Sequence, residues 1–201
     1  MRGADVPSAR FRCQAEIMSV DNTRIETARL LLRLPRREDF DAYAAMHADE
    51  EAARHIGGAM PRAAAWRKFL QMPGAWAMQG YAMFSVCDKI TGEWLGQCGP
   101  WQPEGWPGTE VGWAFKRSVW GRGYAKEAAT ASIDWAFDSL GWSEVIHSIN
   151  TENRASQALA QRLGSRILRQ ASLPPPYETV IVDVWGQSRE EWRARRNGAG
   201  T

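Results

Sequence analysis

Residues 110–137, EVGWAFKRSVWGRGYAKEAATASIDWAF, constrain the fold of this 201-residue chain more than any other stretch. An apolar strand pattern runs into a short basic turn, then a Gly-x-Gly, then a helix with a stripe of small residues. After Gly123, residues Ala125, Ala128, Ala129, Ser132, Trp135 and Ala136 recur at helical spacing and make one narrow face. Lys126, Glu127, Thr130, Asp134 and Asp138 fall on the opposite side, which reads as solvated. Small side chains near the helix start let it approach a sheet closely.

That order aims bare backbone amides at something anionic. The first N–H groups of a helix have no intrahelical partner, and the aligned peptide dipoles make that end partly positive. Gly121 and Gly123 remove side chains that would keep a phosphate from those amides, and Lys116, Arg117 and Arg122 add cationic charge. The pattern is not a dinucleotide fingerprint, because Gly121, Gly123 and Lys126 do not complete G-x-G-x-x-G. No Gly-Lys-Ser/Thr follows, so the Walker pattern fails too. A Gly-x-Gly alone also serves as an ordinary tight turn.

Trp120-Gly121-Arg122-Gly123-Tyr124-Ala125 resembles the coenzyme A pyrophosphate loop of the GNAT N-acetyltransferases, Gln/Arg-x-x-Gly-x-Gly/Ala, with Trp120 at the first position as in the RimJ/RimL-like branch. Asn153-Arg154-Ala155-Ser156, followed by Leu163-Gly164, resembles that family's N-x-x-S…L-G helix. Thr27-Ala28-Arg29-Leu30-Leu31-Leu32-Arg33 is similar to the branch's opening strand, so the resemblance runs over residues 24–186.

Elsewhere the sequence mostly excludes. A formal net charge of +2 argues against a nucleic-acid partner. Cys13, Cys87 and Cys98 show no CxxC spacing, and His47, His55 and His147 lack paired-ligand spacing, so neither a disulfide framework nor a metal site is expected. No apolar run is long enough to span a bilayer, and residues 1–17 lack the apolar core of a signal peptide, so no membrane partner and a cytoplasmic location are expected. The eleven tryptophans point to core and cleft positions; Trp101 and Trp106 share a loop that either packs or covers an acceptor.

Residues 1–22 read as a disordered N-terminal extension, with Met18 an alternative start, and residues 23–201 as one domain. Strands are expected at 29–35, 81–87, 94–98, 110–115, 143–150, 166–171 and 177–185, with a hairpin turn over 89–92. Helices are expected at 37–49, with Phe40, Tyr43, Ala44 and His47 on one face, at 62–72, from 123 and at 153–163. Asn153 is the candidate N-cap and Gly164 the C-terminal stop of the last. This order argues for a mixed α/β sheet with helices on both faces. The resemblance implies a mostly antiparallel sheet splayed between its fourth and fifth strands, here 110–115 and 143–150.

The resemblance implies acetyl-CoA as co-substrate and direct transfer of its acetyl group to a primary amine, on a small molecule or a protein N-terminus. Backbone groups of Trp113, Ala114 and Phe115 would pair with the pantetheine arm, and a main-chain amide near Phe115 would polarise the thioester carbonyl. Lys116, Arg117, Gly121, Arg122, Gly123, Tyr124 and Ala125 would hold the pyrophosphate, with Asn153 and Ser156 beside the pantetheine.

Glu110 is the leading general base, since it alternates with Gly112 and Ala114 on an uncrowded strand face; an ion pair is its other reading. His147 is the second candidate base. The tyrosine that often protonates the thiolate in this family is replaced by Ala160, which leaves Ser156 as the candidate hydrogen-bond donor to sulfur and Tyr43, Tyr81 and Tyr124 as further acids. Asp49, Glu50 and Glu51 read either as a lure for a cationic amine or as a solvated helix end. Dimerisation is common in such a family, so the resemblance admits a homodimer, which the residues themselves do not decide. The alternative function is a non-catalytic CoA-binding interaction module on the same scaffold.

Overall fold

The protein was analysed as a computed structural model in which residues 23–198 are described; the N-terminal extension lies outside them. In chain order the elements are β1 (Arg24–Glu26), β2 (Leu30–Arg33), α1 (Phe40–Ala48), α2 (Glu50–Ala53), α3 (Arg62–Phe69) and α4 (Gln71–Gln79). Then come β3 (Phe84–Asp88), β4 (Trp94–Trp101), β5 (Glu110–Phe115), α5 (Tyr124–Ser139), β6 (Glu144–Asn150), α6 (Arg154–Leu163), β7 (Arg166–Ser172), β8 (Ile181–Ser188) and α7 (Arg189–Gly198).

The strands form one eight-stranded sheet in the order β1-β2-β3-β4-β5-β6-β8-β7. Every neighbouring pair is antiparallel except β5 and β6. The mixed α/β sheet expected from the sequence is therefore the one formed. The additional strand β1 shifts the count, so the splay falls between the fifth and sixth strands.

Alternation along each strand sorts the core into two layers. Leu30, Leu32, Phe84, Val86, Val111 and Phe115 pack with α4 and α5 on one face. The small residues of α5 do what their size allows: Ala128, Ala129 and Ala136 are wholly buried against the sheet. On the other face Phe40, Tyr43, Phe69 and Trp94 join α1 and α3 to the sheet. Their rings pack edge-on, with Phe40–Trp66 centroids at 4.7 Å and Tyr43–Phe69 at 5.1 Å.

Three sequence expectations are corrected. The helix expected over 62–72 ends at Phe69, and a separate helix begins at Gln71. Pro73 lies in the first turn of α4, where its missing N–H has no helical partner to lose. The strand expected over 177–185 runs instead from Ile181 to Ser188, which leaves 173–180 as a loop. The side of α5 read as solvated is half covered. Asp134 accepts a 2.7 Å hydrogen bond from the Trp192 indole of α7, and Glu127 is bound by the β1–β2 turn.

Candidate active site at the parted strands

β5 and β6 touch at one register pair, Glu110 opposite Ile146, with the Ile146 N–H donating to the Thr109 carbonyl at 2.9 Å. Beyond it they part. The Val111 carbonyl, which a continuing strand would have paired, instead accepts from His147 Nδ1 at 2.7 Å. Ladder alternation then directs the N–H and C=O of Trp113 and the N–H of Phe115 toward the gap. Ala114 turns its peptide toward β4, where it pairs with Gln97. The Phe115 carbonyl accepts from the Trp120 indole at 2.9 Å. Trp120 thus has a definite task at the place where the family pattern carries Gln or Arg.

The loop beyond the strand is built from conformation. Gly121 and Gly123 adopt φ of +73° and +80°, the left-handed region that glycine enters without steric cost. Gly123 caps α5 with no side-chain bond, and the first amide of the helix ladder is Glu127 N–H to Gly123 C=O at 3.1 Å. The N–H groups of Tyr124, Ala125 and Lys126 precede that bond and have no helical acceptor.

Arg29 clamps this loop. Its Nη1 donates to the Arg122 carbonyl at 2.9 Å, its guanidinium lies 4.4 Å from the centre of the Tyr124 ring, and its Nε pairs with Glu127 at 2.7 Å. Glu127 also accepts from the Thr27 hydroxyl at 2.6 Å. Burial opposes its charge, but the Thr27 and Arg29 donors outweigh it and hold the carboxyl below its ordinary value. Sequence reasoning assigned Arg29 and Glu127 no part in the loop. Their separation of about a hundred residues leaves no local pattern to find.

The three cations near the loop are not equivalent. Lys116 pairs with Glu93, and Arg117 pairs with Asp49 at 3.0 Å. Arg122 makes no ion pair among the described residues. Asp49 also accepts from the N–H groups of Glu51 and Ala52, capping α2, so its charge is engaged in structure. A shallow cavity of about 440 Å³ opens here between α1, α2 and the basic turn, bordered by Met46, Asp49, Lys116, Arg117 and Ser118.

Across the gap, Asn153 caps α6 by accepting from Ser156 N–H at 3.1 Å. The Ser156 hydroxyl accepts from the Trp113 indole at 3.2 Å, so a serine and a tryptophan expected at one site do meet. Ala160, on the inner face of α6, is wholly buried.

The candidate bases differ in surroundings. His147 is 1% exposed, and both its ring nitrogens are engaged, by Val111 C=O and by Ser165 Oγ at 3.1 Å. Burial lowers it to about 4, against the pull of the Val111 carbonyl. Its two bonds tie β6 to Val111 of β5 on one side and to Ser165 on the other. Glu110 is 7% exposed and shares its strand face with Gly112. Its carboxylate accepts from the Trp106 indole at 2.6 Å and from Ser148 N–H at 3.3 Å. Burial raises it to about 7 despite those donors, which places its titration near neutrality. Trp106 thus covers Glu110 from the 101–109 loop and packs edge-on with Trp101 at 6.5 Å.

Cys87 and Cys98 are both buried, with burial pushing Cys98 up to about 12, so neither thiol is poised as a nucleophile. The third cysteine, Cys13, lies outside the described residues. Tyr81 donates to Gln102 at 3.2 Å, Tyr124 lies under Arg29, and Tyr43 is buried in the α1 core.

A strand gap, a glycine-built helix start and a capped second helix define the class of protein. The acetyltransferase (GNAT) domain profile matches residues 29–166. The chain belongs to the GNAT acetyltransferase family, a family of enzymes that use acetyl-CoA.

Its relatives include "Uncharacterized N-acetyltransferase p20" of Bacillus licheniformis, 30% identical over 79% of this chain and 91% of that protein. Another is "Uncharacterized protein YkkB" of Bacillus subtilis, 38% identical over 47% of this chain; the match spans 58% of YkkB. Among solved structures, the acetyltransferase from Agrobacterium tumefaciens is 30% identical, with a TM-score of 0.74 over 83% of this chain and 95% of that one. No helix among the described residues is long and apolar enough to cross a membrane.

Proposed function

We propose that this enzyme moves the acetyl group of acetyl-CoA directly to a primary amine, on a small molecule or a protein N-terminus, without a covalent enzyme intermediate. One observation carries the reading: the strand edge at Trp113 and Phe115 opens onto the same gap whose far end holds the unpartnered amides of Tyr124 and Ala125. An extended amide-bearing arm ending in a diphosphate fits that edge and that helix start together. Gly121, Arg122 and Gly123 complete the diphosphate cradle. Lys116 and Arg117 contribute through residual field only, because both are already paired.

Glu110 takes the proton of the attacking amine, directly or through one water. A carboxylate that titrates near 7 accepts a proton at neutral pH better than an ordinary one. The Phe115 N–H stabilises the oxygen that becomes negative as nitrogen adds to the carbonyl carbon. The carbon–sulfur bond then breaks, and the Ser156 hydroxyl, whose oxygen accepts from Trp113, donates its own hydrogen to the departing thiolate. His147 positions the gap through Val111 and takes no proton from the amine.

Thiol release on mixing the protein with acetyl-CoA and a panel of amines tests this. Turnover that falls by about 10²–10⁴-fold in Glu110→Gln while CoA binding persists is the expected result. Calorimetric CoA binding with no thiol released from any amine would favour the non-catalytic binding module instead.

A further inference from the structure

The helix face of Tyr43 and His47 carries three buried polar atoms with no hydrogen-bond partner among the described residues: Tyr43 Oη and both ring nitrogens of His47. The two residues are 1% and 0% exposed, and their rings lie 4.3 Å apart. Polar atoms buried to this degree are almost always paired, because an unpaired one forfeits its hydration without return. Here three such atoms lie together in one layer.

Lys68 of α3 points into the same place. Its ammonium donates to the Ile56 carbonyl, and among the described residues no carboxylate lies within ion-pair distance. Burial lowers it to about 8; His47 is lowered first by its own burial and then by the Lys68 charge. Tyr177 closes the group from the 173–180 loop: a Cβ on Gly57 would meet Lys68 Nζ at 3.3 Å and Tyr177 Oη at 3.4 Å. Two phenols, an imidazole and an ammonium offer several donors and one positive charge, with no anion to receive them.

We propose that this cluster receives a carboxylate carried by the acceptor, so that the enzyme's substrate is an amine that also bears a carboxylate. This rests on the acetyl-transfer reading and narrows it. A monoanion with two acceptor oxygens matches one ammonium and the phenol donors, whereas a phosphate dianion would leave a charge uncompensated.

The cluster lies on the face of the sheet that Glu110 occupies. The loop bearing Tyr177 also reaches the loop bearing Trp106, since a Cβ on Gly105 would meet Pro174 at 3.4 Å. One loop therefore touches the surroundings of both the base and the anion pocket. Tyr177 itself is only half-buried, so the cluster meets the surface at that loop.

The test pairs acceptors that differ only at the carboxylate: amino acids against their carboxamides, and ω-amino acids against alkylamines of equal length. The full chain should favour the carboxylate member in kcat/KM by roughly ten- to hundredfold, the scale of hydrogen bonds to a charged group. Lys68→Met should erase that preference by raising KM for the carboxylate acceptor, with the neutral amine and CoA affinity unchanged. Tyr177→Phe, in a loop, should weaken it in the same direction if Lys68→Met does not fold.

Equal rates within each pair, or loss of both rates together in Lys68→Met, would overturn the pocket while leaving acetyl transfer intact. Absence of turnover with every amine would instead strike the parent reading. In that case calorimetry with the same pairs in the presence of CoA decides: binding of the carboxylate member alone, lost in Lys68→Met, sustains the pocket, and equal or absent binding of both ends it.

Discussion

The two sides of the parted strands are built by different means. The proposed cofactor side is made of main chain: a strand edge, two glycines in the left-handed region and the opening turn of α5. The proposed acceptor side is made of side chains gathered from distant segments: Glu110 under Trp106, and Tyr43, His47 and Lys68 with Tyr177. Main-chain sites tolerate wide changes of sequence so long as conformation holds. Side-chain sites change character with one substitution. A single scaffold can therefore keep its donor while its acceptor varies.

Substitutions on each side should separate the two. The largest effect is expected for Glu110→Gln, which should lower kcat/KM by about 10²–10⁴-fold with CoA affinity unchanged, by thiol release and calorimetry. In the wild type the rate should fall as pH drops through about 7, because the base must be ionised, and the variant should lose that limb.

Stability should move the other way. Native Glu110 keeps its proton up to about 7, while an unfolded glutamate releases it near 4.5. Between those values the native state binds more protons, so this residue subtracts stability as pH rises through that window. Glu110→Gln should melt higher than wild type at pH 8, and the gap should close by pH 4. An unchanged melting temperature at pH 8 would contradict the burial cost assigned to this carboxylate.

Gly123→Val, on the main-chain side, should reverse the pattern. Forcing a β-branched residue to φ near +80° costs roughly 1–3 kcal/mol, so CoA should bind about ten- to hundredfold more weakly if the loop relaxes out of shape. Ser156→Ala should be milder, with kcat reduced by about fivefold, the value of one ordinary hydrogen bond, and CoA affinity retained. The smallest effect is expected for Arg29→Met. Its loop clamp is half exposed, so CoA affinity should fall by only about two- to threefold, and less at high salt. A loss as large as that of Gly123→Val would show that the clamp sets the loop conformation.

The same contrast explains what could be read in advance. Glu110–Phe115 and the start of α5 were legible because strand alternation, glycine placement and the small-residue stripe are all local signals. Asn153 and Gly164 were legible as caps for the same reason, and both cap α6 as expected. α7 was missed because its polar, arginine-rich sequence depends on Trp192 reaching Asp134 for its place. The Tyr43–His47–Lys68–Tyr177 cluster was invisible as a set. Tyr43 and His47 share a helical spacing, but nothing local announces a lysine on α3 or a tyrosine beyond β7. His147 illustrates the limit from the other side: its residue type suggested proton transfer, while its neighbours give both nitrogens to structural bonds.

The lone rung between Glu110 and Ile146 has a mechanical meaning. It makes the molecule two smaller sheets, β1 to β5 and β6 to β8, joined along a seam. A ligand bridging that seam acts as the missing strand and couples the two parts. Amide protons of β6 and β8 should then exchange more slowly once the seam is filled, even where no ligand atom reaches them.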